Sequence, residues 1–406
     1  MRAWSLGSTL LAAALCLMAS PGCSNSSQPA NAVRIGIDLP VSGADASTGI
    51  PTQNGAVLAI EQANAAGLPG GFKLIAETLD DAVQGIHNPA QGAQNVKTFI
   101  SDSSVLAILG PFNSNVAKAQ IPITNDAGIV QISPATTYTG LTQGAEAAQL
   151  RTSHPDLIAF FRLCTTNQHQ GEVLAQLARS LHYGRAFIVD DNETYGTGLA
   201  AVFDQQFASL GGTVLGHEHL TRGQQDFKAL LTKVHELRPD MVFFGGTTAS
   251  GGGILRKQMA DTELARTPFF GGDGIGDAQF ITDAGPGADR TYFTIAAADA
   301  SKLPSAQTFI AAYKDRFKSD VGPYSANAYA SAQVAIAAIS AAISAAGNKM
   351  PTRDAVLRAV AATKNLDTPI GKISFDHNGD TTNPILSAYE IVGGKPVFRK
   401  QLAYGH

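Results

Sequence analysis

Cysteine is scarce in this chain: there are three in 406 residues, and Cys16 and Cys23 lie close to the start. Cys164 is left alone in the body, which excludes an internal disulfide framework. It sits in the apolar run FFRLC, where a buried small side chain in a strand is expected rather than a reactive thiol. Charge is sparse too: 15% of residues are charged, with 29 Lys plus Arg against 33 Asp plus Glu and a net charge of -4. No basic run is available to follow a phosphate backbone, so nucleic acid is not expected as a partner. Catalytic signatures are missing as well. There is no GxSxG elbow, no GxxxxGK(S/T) loop and no HExxH, and HEH at 217–219 lacks the i, i+4 spacing that sets two imidazoles on one helical face. Gly272, Gly274 and Gly276 echo a dinucleotide loop, but Asp277 takes the place of the third glycine. DHNGD at 376–380 starts like a calcium loop, yet Thr381 stands where glycine is required, so a hairpin turn is expected. The chain does not read as an enzyme, and no metal or cofactor is expected.

What is present points first to export. Arg2 supplies a short positive start, and residues 6–18 are an apolar stretch too short to span a bilayer, which predicts a signal peptide over 1–22. Ser20, Pro21 and Gly22 lead into Cys23 in the manner of a bacterial lipobox, although Ser20 occupies the place where Leu is usual. Cys23 is therefore the expected lipidation site, with 23–32 as a polar flexible tether; plain secretion is the alternative. The body is expected outside the cytoplasm, lipid-anchored at the cell membrane and facing the periplasm or the cell exterior.

The body is 44% hydrophobic with 41 Gly and 19 Pro to supply turns, and its length predicts two domains rather than one. From position 33, short β-rich runs alternate with helical patterns: VRIGIDL, a helix over 54–66, FKLIAET, a helix over 88–101, VLAIL, a helix over 115–127 and IVQIS. A second series runs from FFRLC through AFIVD, TVLGHE, MVFFGG and FFGGD, again with helices between. Strands this continuously apolar predict parallel sheets covered on both faces. The weakly patterned segment 139–156 is the expected crossover between the two series. Residues 326–346 are apolar enough to suggest a membrane span, but Asn327, Gln333 and several Ser favour a packed helix.

Ligands of open parallel sheets bind beyond the carboxyl ends of the strands. After VLAIL comes GPFNSN with Ser114, and after IVQIS comes SPATT with Ala135, Thr136 and Thr137. Hydroxyls and helix N-termini there suit a carboxylate, while simple N-capping is the alternative. In the second series Tyr195 opens a helix and Asp273 ends a strand among glycines. Asp273 is either a turn residue or the acid that meets an ammonium across a cleft.

The stretch 110–137, GPFNSNVAKAQIPITNDAGIVQISPATT, with DDNETYGTGLA, VFFGG and FFGGDG, resembles the branched-chain amino-acid-binding proteins of bacterial ABC transporters, the leucine/isoleucine/valine type. The resemblance runs from about residue 33 to the end. It implies a type I periplasmic binding protein: two Rossmann-like α/β lobes with parallel central sheets joined by a three-strand hinge. The lobes are expected over 33–155 plus 296–384 and over 156–295 plus 385–406. It also implies that Ser114, Ala135 and Thr137 hold a ligand carboxylate, that Tyr195 and Asp273 meet the ligand from the second lobe, and that Asp273 pairs with its ammonium. The family usually carries Glu at that place, Thr247 stands where many relatives have an aromatic, and SGADASTG lacks the aromatic that covers an aliphatic side chain. The implied function is a monomer that delivers a small amino-acid-like ligand to an ABC transporter permease. A sensor using the same cleft to signal to a receptor or regulator is the alternative, and neighbouring permease and ATPase genes would favour transport.

Overall fold

Apolar runs bounded by turn residues become strands buried on both faces; VLAIL and MVFFG are buried at every position. The computed structural model describes residues 31–403, so the expected signal peptide and Cys23 lie outside the described residues. The first half runs β1 (Ala32–Leu39), α1 (Ala46–Ala66), β2 (Lys73–Asp80), a small hairpin of β3 (Ala82–Val83) and β4 (Ile86–His87), α2 (Pro89–Ser101), β5 (Val105–Leu109), α3 (Ser114–Asp126), β6 (Val130–Ser133), α4 (Gly144–Gln149) and β7 (Phe160–Arg162). Its sheet has the order β2-β1-β5-β6-β7, all parallel.

The second half continues with α5 (Asn167–Ser180), β8 (Arg185–Asp190), α6 (Thr194–Ser209), β9 (Thr213–His219), α7 (Lys228–Leu237), β10 (Met241–Gly245), α8 (Gly252–Ala260), β11 (Phe269–Gly271), α9 (Ala278–Ala284) and β12 (Thr291–Ile295). The chain then returns to the first half with α10 (Gln307–Phe317), α11 (Ser325–Ala345), α12 (Arg353–Ala361) and the hairpin of β13 (Leu366–Thr368) and β14 (Gly371–Ile373). It closes with β15 (Ile385–Val392) and β16 (Lys395–Ala403), which add antiparallel to the second sheet in the order β16-β15-β12-β11-β10-β8-β9. Helix α11 is long and apolar enough to cross a membrane, yet it buries Val334, Ile339 and Ile343 in the core over the first sheet. Gly55 of α1 meets it so closely that a Cβ there would stand 2.1 Å from the Ser325 carbonyl oxygen.

Two expectations are corrected. FFRLC does not open the second series: Phe160–Arg162 pairs with β6 and forms the edge of the first sheet, so the boundary expected at 155/156 falls several residues too early. The segment 139–156, with α4, is accordingly a connection within the first lobe. An apolar strand looks the same in either sheet, and only its neighbour decides where it belongs. Cys164 is buried as expected, and burial pushes its thiol far above the ordinary range.

Three chain segments cross between the lobes side by side. The Thr165 N–H donates to the Ala296 carbonyl at 3.0 Å, the Ser387 hydroxyl to the Ala297 carbonyl at 2.9 Å, and the Arg162 N–H to the Gly379 carbonyl at 3.0 Å. At their first-lobe end Arg162 is wholly buried. Its Nε donates to Asp380 Oδ1 at 2.6 Å, Nη1 to the Tyr138 and Thr136 carbonyls, and Nη2 to Thr142 Oγ1. The other Asp380 oxygen accepts from Thr142 and Gln143. DHNGD is thus a turn whose last acid joins the crossings. Burial pushes the Asp380 carboxyl up, but the Arg162 charge and these hydrogen bonds outweigh it and leave it below its ordinary value.

Removing one partner of such a buried pair strands the other charge, so Asp380→Ala should cost about 3–5 kcal/mol in equilibrium denaturation. Because the folded carboxyl titrates low, its contribution is present above its unfolded value near 3.9 and disappears as pH falls through the folded one. The variant should therefore lose part of the acid-unfolding slope below about pH 4.

Candidate functional site

The loops after β5 and β6 are tied together before they reach the space between the lobes. Gly110 adopts φ +113°, and a Cβ there would sit 2.1 Å from the Asp38 carbonyl oxygen, so only glycine lets this loop pass the end of β1. Ser133 accepts from the N–H groups of Ala135 and Thr136 at 3.2 and 3.0 Å and donates to the Pro111 carbonyl at 2.8 Å. That turn sets Ala135 and Thr137 beside Ser114, the first residue of α3, where the first N–H groups of a helix have no partner within the helix.

From the second lobe, Tyr195 in the first turn of α6 reaches Asp273, which follows β11 after Gly272. Asp273 Oδ1 accepts from the Tyr195 hydroxyl at 3.0 Å and from Gln170 Nε2 of α5 at 2.7 Å, and Oδ2 accepts from the Tyr324 hydroxyl at 2.6 Å. Tyr324 precedes α11, so this third donor arrives from the first lobe's side. Its hydroxyl also accepts the Ala296 N–H at 3.1 Å, at a lobe crossing. Burial pushes the Asp273 carboxyl above its ordinary value, and the hydrogen bonds from Tyr324, Gln170 and Tyr195 hold it back only in part. Burial, reinforced by the Asp273 charge, pushes both phenols well up, so they remain donors.

One cavity is lined by Phe112, Asn113, Ser114, Ala135, Thr137, Tyr195, Thr247, Asp273 and Gly274. Six of the seven expected ligand-binding residues meet there. Thr136 does not: it is fully buried, its hydroxyl turns back to Ser133 Oγ at 2.9 Å, and its carbonyl serves Arg162. The Thr137 hydroxyl has no hydrogen-bond partner although it is buried. A carboxylate offers about four acceptor positions and Asp273 uses three, which leaves one on Oδ2. The cavity therefore combines unspent donors on one wall with an acid on the other.

An adjoining chamber shares Phe112, Asn113, Thr247, Asp273 and Gly274, and adds Asp45, Ser47, Thr48, Thr248 and Asp277 among its walls. Asp45, Ser47 and Thr48 come from the loop SGADASTG, which has no aromatic, and Ala44 and Ala249 add apolar wall beside them. Sequence reasoning missed Phe112 and Asn113, although both lie in GPFNSN, and missed Gln170 and Tyr324, whose roles no local pattern signals. Among the described residues, the grouping of His and Asp side chains spaced for a metal is Asp190, His217 and His219, away from this cavity.

Comparison with known proteins identifies the family. Residues 32–395 match the family model described as periplasmic binding protein. This chain belongs to the periplasmic binding protein family. A Leu/Ile/Val-binding protein, BraC3 of Rhizobium johnstonii, is 30% identical over 366 residues, covering 90% of this chain and 93% of the relative. The branched-chain amino acid transporter substrate-binding protein LivJ of Streptococcus pneumoniae, solved with isoleucine, superposes with a TM-score of 0.78 at 24% identity, covering 92% of this chain and 99% of that one. A solute-binding protein of an R. palustris ABC transporter, solved with benzoate, gives 0.77 at 20% identity over 92% and 98%. The family fold is the two-lobed α/β architecture described above, and a member of it is a binding protein rather than an enzyme.

In this family member the lobes touch across the mouth of the cleft. Buried His87 faces Asp45 Oδ2 of its own lobe at 2.9 Å and Glu193 Oε2 of the other at 2.7 Å. Arg222 donates to the His87 carbonyl at 2.7 Å, and Asn115 donates to the same Glu193 oxygen at 2.8 Å. Burial pushes the imidazole down, but the two carboxylates outweigh it and raise it to about 10. A group raised in the folded state stabilises fully below its unfolded value near 6.5 and loses that contribution as pH rises through the folded one. The melting temperature should thus fall between pH 7 and 10, and His87→Gln, melted over the same range, should show a shallower fall.

Proposed function

We propose that this chain is the solute-binding component of an ABC importer, taking a small α-amino acid or related zwitterion in the cleft between its lobes. The observation that carries the reading is the shared cavity. Ser114, the unpartnered Thr137 hydroxyl and the α3 N-terminus suit a carboxylate, while Asp273 retains one acceptor for an ammonium opposite. The names of the relatives, which bind leucine, isoleucine and valine, support an amino-acid ligand. The adjoining chamber mixes apolar walls from Ala44, Phe112 and Ala249 with polar ones from Asp45, Ser47 and Thr48, so it suits an aliphatic or a polar side chain. We further propose that the mature protein works as a monomer outside the cytoplasm, tethered by lipid on Cys23 beside the permease it serves.

Ligands of the native state raise its stability, so a thermal-shift panel of leucine, isoleucine, valine, serine, threonine and glutamine identifies the ligand. With that ligand, Asp273→Ala should weaken binding by about 2–5 kcal/mol in calorimetry, because the ammonium is left buried without its acid. Unchanged affinity would remove Asp273 from ligand recognition. Cys23→Ser should move the protein from the membrane fraction to the soluble one with the same affinity; persistent membrane association would refute the lipid tether.

A further inference from the structure

We propose that Asp190, His217 and His219 form a binding site for one divalent transition-metal ion on the outer edge of the second lobe. As a helical signature HEH fails, but these residues lie on a strand, where i and i+2 share a face. β9 is the edge strand of the second sheet, and its register sets His219 directly opposite Asp190 of β8, with His217 two residues before it. The Asp190 carboxylate spans both rings: Oδ2 lies 2.7 Å from His217 Nε2 and Oδ1 lies 2.7 Å from His219 Nδ1.

The charge balance points the same way. Asp190 is wholly buried, and among the described residues no Lys or Arg pairs with it; its partners are the two imidazoles and the Asn192 N–H at 2.8 Å. A carboxylate removed from water needs a compensating cation. Two imidazole nitrogens and one carboxylate oxygen suit ions such as Co²⁺, Ni²⁺ and Zn²⁺ rather than Ca²⁺ or Mg²⁺.

The fit is close. The three ligand atoms lie within 4.8 Å of one another. Bonds of about 2.0–2.2 Å set two ligands of one ion roughly 3–4 Å apart, so a small opening of the hydrogen bonds admits the metal. His219 side-chain exposure is 55% and that of His217 is 31%, which lets the rings make that shift. Any proton on the ring nitrogen that faces Asp190 leaves to solvent or to the other ring nitrogen when the metal takes its place. The Asn192 N–H keeps the carboxylate oriented, and water completes the coordination on the open side.

The test uses the full chain, freed of metal by chelation and titrated with Zn²⁺ by calorimetry and with Co²⁺ by visible absorption. One ion per chain, a higher melting temperature and Co²⁺ bands of a nitrogen and oxygen site are expected. His217→Ala and His219→Ala, both at partly exposed positions, should each weaken Zn²⁺ binding about tenfold or more, and together abolish it, with cleft-ligand affinity unchanged. Asp190→Asn tests the buried oxygen, and if it fails to fold the two His variants still decide. No uptake of Zn²⁺ or Co²⁺ by the wild-type chain, or uptake that survives the double His variant, overturns the proposal.

Discussion

A carboxylate removed from water and held by three donors from three separate elements is the constraint on which the cleft depends. Gln170 reaches Asp273 from the helix after the first crossing, Tyr195 from the helix after β8, and Tyr324 from the entrance to α11. The last of these hydroxyls also receives the Ala296 N–H at another crossing. The acid that faces the cavity is therefore tied to the segments about which the lobes would turn. A ligand that adds a contact to Asp273 on one side and to Thr137 on the other favours the arrangement in which both walls are near, and the population shifts accordingly.

Similar electrostatic logic recurs at the other charged positions between the lobes. Arg162 and Asp380 are buried together and surrounded by carbonyl and hydroxyl partners, so neither charge is left uncompensated where the crossings leave the first sheet. His87 stands between carboxylates from opposite lobes, and Arg222 caps the same contact. Burying ions is costly unless each is matched, and matching them across lobes makes closure selective for one relative position.

The cavity differs from these pairs in leaving groups unspent. Thr137 keeps a free hydroxyl and Asp273 one free acceptor, while the neighbouring Thr136 hydroxyl is consumed by Ser133. Two adjacent threonines of the same loop thus divide between scaffold and cavity wall, because the turn built on Ser133 points successive side chains in different directions. Polarity carries into the second chamber, where Ser47 and Thr248 donate to Asp277.

Sequence by itself determined the alternation of strands and helices, the parallel sheets, and the loops that carry Ser114, Ala135, Thr137, Tyr195, Thr247 and Asp273. These are local facts: periods of two and 3.6 residues and the turn chemistry at strand ends are written in neighbouring positions. Tertiary structure alone decided that Phe160–Arg162 joins the first sheet, that Thr136 turns away, and that Gln170 and Tyr324 converge on Asp273. It also decided the His87–Glu193 and Arg162–Asp380 pairings, across 106 and 218 positions of chain. No local period encodes contacts at such separations; they arise when the two sheets and their crossings are packed together, and burial then selects which polar groups must meet.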